Sequence, residues 1–417
     1  MDKLLLKKIE KANLTAMNSR KLTEQFIELE KADGLKIVIC NCTGFDRNAN
    51  VGKHLVASKL NDILEGVSIC ANHIGALEAV VYIGEDFLTE KPEDTTFGNV
   101  TITFTTGINT LVSRNHTALF GLLKKRLPRP YAEDAVTTQF DAYSALVIDC
   151  ETAINVFYRS RGLQAQKNLF IPGNGFISAD FGTSLSELLE EISADLSKAK
   201  GILLGGTLGK FITQSELAGY VVNASPLFNS VEIFGDDSCM ADTLKSIMTE
   251  AFKQSCGKCV LCREATKQFK AILTEITEGK AHLDDLDMMN EMSELIRIGA
   301  FCNFGRQMVN PLTSALSLFR AEFENHIRRR RCDSMVCVKF SSIVILPNEC
   351  TGCEKCMDCC PENAIEGKKG YIHMIDEDAC EKCGKCLEVC PEKAIVKAGA
   401  VKPKLPARLM RVGTFRK

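Results

Sequence analysis

The feature that most constrains this chain is a cysteine spacing that occurs twice near its C-terminal end. The stretches CTGCEKCMDCCPENAI and CEKCGKCLEVCPEKAI both follow the pattern C-x2-C-x2-C-x3-C-P. Of the 20 cysteines, fifteen lie between Cys256 and Cys390. The chain shows no signal-peptide pattern, so we expect it in the cytoplasm, where thiols stay reduced. Clustered cysteines in that compartment predict metal ligation rather than disulfides.

The repeated spacing is that of a bacterial ferredoxin with two [4Fe–4S] clusters, in which the fourth cysteine of each run ligates the other cluster. One predicted ligand set is Cys350, Cys353, Cys356 and Cys390, and the other is Cys380, Cys383, Cys386 and Cys360. Paired zinc knuckles are the alternative. Zinc sites, however, usually take two ligands from each knuckle, with a longer loop between them. Cys359 is left over and is expected to be a free thiol.

A second cysteine group lies upstream, in SCGKCVLCREATKQF. It places Cys256, Cys259 and Cys262 at two-residue gaps, which is one ligand short of a closed site. The segments that follow carry apolar residues at three- and four-residue steps, a pattern that predicts helices. Cys302, in IGAFCNFG, is the next cysteine and falls at a helix-to-loop junction. In a helical bundle the triplet and Cys302 can converge on a third [4Fe–4S] cluster, with zinc as the alternative.

The stretch from Asp236 to Ile327 carries a family resemblance. Its segments DDSCM, SCGKCVLCRE, DLDMM, FCNFG and SLFRAEFENHI closely resemble the NADH-oxidising flavoprotein subunit of respiratory complex I and of soluble NAD-linked hydrogenases and formate dehydrogenases. The resemblance implies that the three-plus-one cysteines hold a [4Fe–4S] cluster that takes electrons from flavin. It also implies partner subunits: a flavoprotein, a hydrogenase or formate dehydrogenase subunit, and a small [2Fe–2S] subunit.

We expect a multidomain fold of the α/β and α+β classes. Residues 1–165 alternate apolar strand runs with helices, as an α/β layer does, and resemble the family's Rossmann-like flavin-domain scaffold. Residues 166–235 resemble its small β-grasp module. Residues 236–331 should form the helical bundle with one [4Fe–4S] cluster. Residues 332–417 should form a linker and the ferredoxin domain with two [4Fe–4S] clusters.

The family's flavin-binding pattern is altered in this chain. In the family, a glycine-dense loop lets the FMN phosphate approach bare backbone amides, whereas no glycine occurs here between Met1 and Gly34. Asn41 is kept as a flavin contact, but Thr43 and Gly44 replace the carboxylates that follow it. Further replacements are Asn115, His116, Ile148 and Asp149; His116 and Asp149 are either a new acid–base pair or capping and solvated residues. We therefore expect that FMN is lost and that the first domain docks a partner.

The linker RRRRCDSMVCVKF contains a cysteine pair that matches one in the hydrogenase-type relatives. Cys332 and Cys337, together with His373 from between the two ferredoxin runs, supply two thiolates and an imidazole, which make most of a zinc site. The alternative is two buried thiols and a surface histidine. The arginine run at 328–331 lacks the aromatic platform that RNA-binding modules use.

These features predict an iron–sulfur electron-transfer subunit of a soluble multi-subunit oxidoreductase, built around a hydrogenase, a formate dehydrogenase or a flavin-based bifurcating enzyme. The alternative is a catalytic FMN-dependent NAD(P)H dehydrogenase subunit with a remodelled flavin pocket; no catalytic residue is assigned. A third hypothesis is a zinc-bearing nucleic-acid-binding module. The net charge of −2 gives no general attraction to nucleic acid, and no apolar run has the length of a membrane helix.

Overall fold

The structure is a computed structural model that describes residues 3–17, 19–46, 49–130, 139–399 and 402–416. Backbone contacts divide the chain into two compact units. The first comprises Met1–Gly235, Ser246–Lys270 and Met289–Leu318. The second comprises Asp236–Lys245, Ala271–Met288 and Phe319–Lys417.

The N-terminal part of the first unit is built on a mostly parallel sheet. Its described strands are β1 (Leu35–Asn41), β2 (Glu78–Gly84), β3 (Thr95–Phe97), β4 (Val100–Gly107), β5 (Gln139–Phe140) and β6 (Tyr143–Asp149). Within the described residues they lie in the order β3-β4-β2-β1-β6-β5. The four inner strands are parallel, and the short strands β3 and β5 pair antiparallel at the edges. Residues 37–41 of β1 are all buried, as a central strand with both faces covered requires.

Helices pack on this sheet. They are α1 (Lys3–Lys11), α2 (Leu22–Lys31), α3 (Val51–Ser58), α4 (Leu60–Ile74), α5 (His116–Leu123) and α6 (Cys150–Ser160). Helix α4 meets α6 at Gly66, where a Cβ atom would lie 1.9 Å from the carbonyl oxygen of Ala153. Only glycine allows two backbones to approach this closely.

Residues 166–234 form a smaller α/β part of the first unit. Strands β7 (Gln166–Ile171) and β8 (Gly175–Asp180) pair as an antiparallel hairpin. Helix α7 (Leu185–Glu191) follows, and then β9 (Gly201–Leu204), β10 (Lys210–Ile212) and β11 (Val231–Phe234), which form a sheet in the order β10-β9-β11. Buried leucines and isoleucines of these elements form one hydrophobic core.

The next segment is helical. Its helices are α8 (Met240–Gln254), α9 (Val260–Glu278), α10 (Asp284–Gly299), α11 (Asn303–Gln307), α12 (Asn310–Leu318) and α13 (Arg320–Arg328). The periodicity of the sequence predicted helix in the segments of α9 and α10 and in the stretch that α12 and α13 share; it did not predict α8 or α11. In the part of the chain that the structure describes, no helix is both long enough and apolar enough to cross a membrane.

The C-terminal part of the second unit has short elements around the repeated cysteine runs. They are β12 (Ser342–Ile345), α14 (Lys355–Asp358), β13 (Ile365–Glu366), β14 (Met374–Ile375), α15 (Lys385–Val389) and β15 (Ile395–Ala398). Strand β12 pairs antiparallel with β15, and β13 pairs with β14. The first strand of this part therefore lies beside the last one. This pairing brings the end of the second cysteine run close to the first cysteine run.

Candidate metal centres

Two small cavities in the C-terminal part are each lined by four cysteines. The first cavity has Cys350, Cys353, Cys356 and Cys390 on its wall. The second cavity has Cys380, Cys383, Cys386 and Cys360. The last cysteine of each run thus faces the cavity of the other run, and the structure brings together the two sets that the spacing predicts. Four thiols around one small space are the donor set that a [4Fe–4S] cluster takes.

The two halves share their backbone conformation as well as their cysteine spacing. Gly352 and Lys382, which occupy equivalent places in the two runs, have φ of 69° and 59°. The next equivalent pair, Glu354 and Gly384, has φ of 68° and 82°. Each half keeps a left-handed backbone conformation at these two positions. Where the residue is a lysine or a glutamate, that conformation costs backbone strain. The loop conformation around each cavity is therefore common to both halves.

A third set of four cysteines lies in the helical segment of the first unit. Cys262 and Cys302 are buried, and Cys256 and Cys259 are half-buried. A Cβ atom at Gly305, in the first turn of α11, would lie 3.7 Å from the Cys262 sulfur, so the residues after Cys302 face the triplet. We call this set the bundle site. It contains the four residues that the sequence grouped.

Burial favours the neutral thiol at several of these cysteines. Burial raises the pKa of Cys262 to about 12 and that of Cys302 to about 11, and the neighbouring thiols Cys256 and Cys259 raise both further. In the ferredoxin part, burial likewise raises the pKa of Cys356 to about 12. Metal ligation requires thiolates, so loading these sites displaces protons.

A further ligand group lies in the second unit. Cys239, His326, Cys332 and Cys337 are all buried, and their ligand atoms lie within 4.8 Å of one another. The Cys239 sulfur is 3.6 Å from the Cys337 sulfur and 3.2 Å from His326 Nε2. In a regular tetrahedron with zinc about 2.3 Å from each thiolate, the sulfur–sulfur edge is about 3.8 Å. The group therefore has the size and the donor types of a structural zinc site.

The surroundings of His326 orient it for this role. On α13, its Nδ1 lies 2.8 Å from the carbonyl oxygen of Glu322, so the Nδ1 proton has an acceptor and Nε2 points at the thiols. Metal-binding histidines are usually fixed in this way through the other ring nitrogen. Burial alone would lower the pKa of His326, but hydrogen bonds to Cys239 and Cys332 outweigh burial and raise it to about 10. Three buried sulfur atoms and one imidazole nitrogen grouped in this way are a donor set that suits a bound cation.

The choice of His373 as the third ligand needs correction. The structure places Cys332 and Cys337 together, as predicted, but His326 lies beside them where the sequence analysis placed His373. His373 is buried in the ferredoxin part, with its Nδ1 3.7 Å from the Cys350 sulfur. The reason is the topology: the turn before β14 directs residue 373 toward the first cavity and not toward the linker.

Sequence reasoning missed two members of this group. His326 is six residues before Cys332, closer along the chain than His373, and that proximity was a usable signal. Cys239 immediately precedes α8 and lies far from the linker in sequence. Its segment DDSCM carries part of the family resemblance, but no spacing rule connects it with Cys332.

The residues at the expected flavin position pair with one another. Asn41 Nδ2 donates to the Ser113 carbonyl at 3.1 Å, and Asn41 Oδ1 accepts from the backbone N–H and the hydroxyl of Thr43. The Thr43 hydroxyl also lies 2.8 Å from the Ser113 hydroxyl. These buried groups at the end of β1 therefore satisfy their hydrogen bonds without a ligand.

The other altered positions have structural roles. Asn115 caps α5 by accepting from the backbone N–H groups of Thr117 and Ala118, and Asp149 caps α6 by accepting from Thr152. Ile148 is fully buried in the core. His116 makes an edge-to-face contact with Phe120 at a ring distance of 5.8 Å. These contacts favour the capping role for Asp149 over an acid–base pair with His116.

Comparison with known proteins places two parts of the chain in characterised domain classes. Residues 242–326 match the NADH-ubiquinone oxidoreductase-F iron-sulfur binding region. Residues 342–391 match the 4Fe-4S dicluster domain. These domains indicate iron–sulfur clusters and confirm the resemblance that the sequence analysis stated.

Two curated relatives illustrate the similarity. The NADP-reducing hydrogenase subunit HndC of Solidesulfovibrio fructosivorans is 31% identical over 210 residues, covering 48% of this chain and 43% of the relative. An F-type subunit of the NADH-quinone oxidoreductase of Rhizobium meliloti (strain 1021) is 24% identical over 343 residues, covering 71% of this chain and 82% of the relative. The chain thus matches less than half of the length of HndC.

The fold is similar to that of a chain in the solved NAD+-reducing [NiFe]-hydrogenase. In its H2-reduced state that chain matches with a TM-score of 0.66 and 18% identity, covering 78% of this chain and 62% of that one. The expected mixed α/β, multidomain architecture with a ferredoxin domain is therefore confirmed.

Proposed function

We propose that this chain is an electron-transfer subunit of a multi-subunit oxidoreductase and holds three [4Fe–4S] clusters. The observation that carries the proposal is the grouping of twelve cysteines into three sets of four, in the first cavity, the second cavity and the bundle site. When bound, such clusters supply one-electron transfer. The chain's own residues provide the thiolates, exclude water from Cys262 and Cys302, and fix the loops around each site.

The experiment is iron and sulfide analysis of anaerobically purified full-length protein. We expect about twelve irons per chain, four for each set of four cysteines. The double variant Cys256→Ser, Cys302→Ser should retain about eight. Cys359→Ser is the matched control, because Cys359 lies on neither ferredoxin cavity wall and its sulfur instead contacts the Cys356 carbonyl. A double variant with all its iron would refute the assignment of the bundle site.

We propose further that Cys239, His326, Cys332 and Cys337 bind a structural zinc ion. Three thiolates and one imidazole at these separations suit tetrahedral zinc. They lie too close together for a cubane cluster, whose four ligands surround a much larger core. The ion would join the start of α8, the helix α13 and the linker before β12.

We infer that FMN binding has been lost from the first domain. Asn41, Asn115 and Asp149 use their polar atoms within the protein, and Leu14 and Leu22 of the expected phosphate loop are buried in the core. A cavity lined by Gly44, Asp46 and Arg114, among other residues, has a volume of about 190 Å³. Ligand pockets usually measure about 300–1,000 Å³.

Arg114 occupies space beside this cavity. Its guanidinium lies 3.7 Å from the Asp149 carboxylate, and its Cγ would be 2.6 Å from a Cβ atom at Gly44. The Asp149 carboxylate, at the carboxyl end of β6 and beside the end of β1, is thus paired with a guanidinium and does not need a ligand as its polar partner. This arrangement favours a scaffold role over the alternative of a catalytic dehydrogenase subunit with a remodelled flavin pocket.

We propose that a redox partner subunit docks beside the bundle site. Exposed apolar side chains flank its cysteines on α9, on α10 and just after α10: Val260, Leu261, Leu295, Ile298 and Phe301. Ile298 is 83% exposed, and apolar patches of this kind mark interaction sites. The partner would carry its own redox centre, such as a flavin or a [2Fe–2S] cluster.

In the native complex, Ile298→Glu should release one redox subunit and retain all the iron, whereas the exposed Ile27→Glu should release none.

A further inference from the structure

The two halves of the ferredoxin part differ at one wall position of their cavities. The alignment that pairs Cys350 with Cys380 also pairs Ile343 with His373. Ile343 lines the second cavity, and His373 lines the first. The two cavities can therefore be compared directly within one chain: an aliphatic side chain lies against the cysteines of the second cavity, and an imidazole lies against those of the first.

The position of His373 restricts its hydrogen bonding. The side chain is 2% exposed, and its Nδ1 lies 3.7 Å from the Cys350 sulfur. Its Nε2 is buried and has no hydrogen-bond partner among the described residues. A buried N–H group needs an acceptor, and sulfur is the acceptor that the ring meets. The tautomer with the proton on Nδ1 is the one that satisfies this requirement.

Gly367 makes room for the ring. A Cβ atom at Gly367 would lie 2.1 Å from Cδ2 of His373. The imidazole therefore packs against bare backbone, and this contact together with its burial restricts rotation of the ring. A side chain held in one orientation keeps its hydrogen bond at little further entropic cost.

We propose that His373 donates an Nδ1–H···S hydrogen bond to the Cys350 thiolate and thereby raises the reduction potential of the first cavity's cluster above that of the second cavity's cluster. The inference rests on the proposed function, in which these cysteines carry [4Fe–4S] clusters. One-electron reduction increases the negative charge on the ligand sulfurs, so a positive N–H dipole stabilises the reduced state more than the oxidised one. Hydrogen bonds to cluster sulfurs are an established determinant of cluster potentials.

The test exchanges the paired residues in the full-length protein. His373→Ile gives the first cavity the residue of the second, and Ile343→His does the reverse. In EPR-monitored redox titrations, His373→Ile should lower the potential of one cluster and Ile343→His should raise that of the other. The expected change is about threefold to tenfold in the ratio of reduced to oxidised cluster, where tenfold equals about 59 mV for one electron. His373→Gln retains N–H groups and should restore part of the shift.

A second measurement is independent of the substitutions. With ¹⁵N-labelled histidine, electron spin echo modulation of the reduced protein should show one ¹⁵N coupling, which His373→Ile removes. Unchanged potentials in variants with full iron, or no ¹⁵N coupling in the unsubstituted protein, would overturn the inference. If His373→Ile lost iron, Ile343→His and the ¹⁵N coupling would decide. Absence of iron–sulfur signals from the unsubstituted protein would instead contradict the proposed function.

Discussion

At the residue scale, the two buried histidines of the second unit, His326 and His373, contact different groups of cysteines. His326 presents Nε2 to three cysteines because the Glu322 carbonyl accepts its Nδ1 proton. His373 places its Nδ1 3.7 Å from the Cys350 sulfur. The orientation of each ring, set by the elements around it, decides which metal group it serves.

The zinc assignment gives a prediction with an internal control. Cys239→Ser should lower the zinc content from about one ion per chain to near zero, because it removes one of four ligands from a buried site. His373→Ile should leave the zinc in place. Elemental analysis of anaerobically purified variants measures both. Zinc loss on His373→Ile with retention on Cys239→Ser would reverse the assignment.

A second prediction concerns Asp46. Its Oδ2 accepts from the Thr207 backbone N–H at 3.2 Å, but its Oδ1 is buried without a partner in the described part of the chain. Burial raises the pKa of Asp46 above its ordinary value, against the smaller opposing effect of Thr207. The folded state therefore holds this proton at pH values where the unfolded state has lost it. Stability falls as pH rises through the folded pKa.

Asp46→Asn should accordingly raise the free energy of unfolding at neutral pH, by about 1.4 kcal/mol for each unit of pKa shift removed. The gain should shrink as the pH falls toward the ordinary pKa of an aspartate. Thermal unfolding between about pH 5 and pH 8 measures the trend. The exposed Glu190→Gln serves as the control and should show no such trend. A gain that is independent of pH would contradict the role given to burial.

At the element scale, the contact between α4 and α6 depends on a missing side chain. A Cβ atom at Gly66 would lie 1.9 Å from the Ala153 oxygen, a backbone atom that cannot rotate aside. Periodicity predicts both helices, but it does not predict that their axes approach this closely. That distance follows from how each helix lies on the sheet.

Gly66→Ala should destabilise the protein although alanine is the better helix former. The propensity gain is about 1 kcal/mol, whereas overpacking against backbone costs about 1–3 kcal/mol. Gly219→Ala is the control, since nothing lies within 4 Å of its Cβ position. We expect a lower thermal midpoint for Gly66→Ala and little change for Gly219→Ala. A higher midpoint for Gly66→Ala would show that the two helices can separate at little cost.

At the scale of the whole molecule, the proposed loss of FMN binding rests on buried polar groups of the first unit that pair with one another. The network of Asn41, Thr43 and Ser113 closes the carboxyl end of β1. A buried phosphate without amide donors would cost several kcal/mol. Under the proposed function, the chain accepts and passes electrons through its clusters and performs no flavin chemistry of its own.

The corresponding prediction is that the full-length protein, purified anaerobically, releases no FMN on denaturation and does not reduce viologen dyes with NADH. The same preparation must contain about twelve irons, so that a negative result does not come from damaged protein. Dithionite should reduce its clusters directly. Stoichiometric FMN together with NADH-dependent turnover would favour the dehydrogenase alternative.

The sequence alone determined the features that depend on local spacing. Ligands two or three residues apart must share one loop, so the two ferredoxin runs and the triplet at Cys256 indicated their metal chemistry directly. Helices and strands with a strong apolar period were likewise predictable. The comparisons confirm the class of iron–sulfur domains that these patterns indicated.

Only the tertiary structure decided which distant residues meet. Cys239 joins Cys332 and Cys337 because α8 and α13 lie close together there. The backbone N–H of Met240 in α8 donates to the side-chain carboxylate of Glu322 in α13 at 2.9 Å. His373 reaches Cys350 because the pairing of β13 with β14 turns it inward. Such contacts join segments far apart in the chain, and the free energy that selects them comes from packing the whole core. No local pattern of residues carries that information.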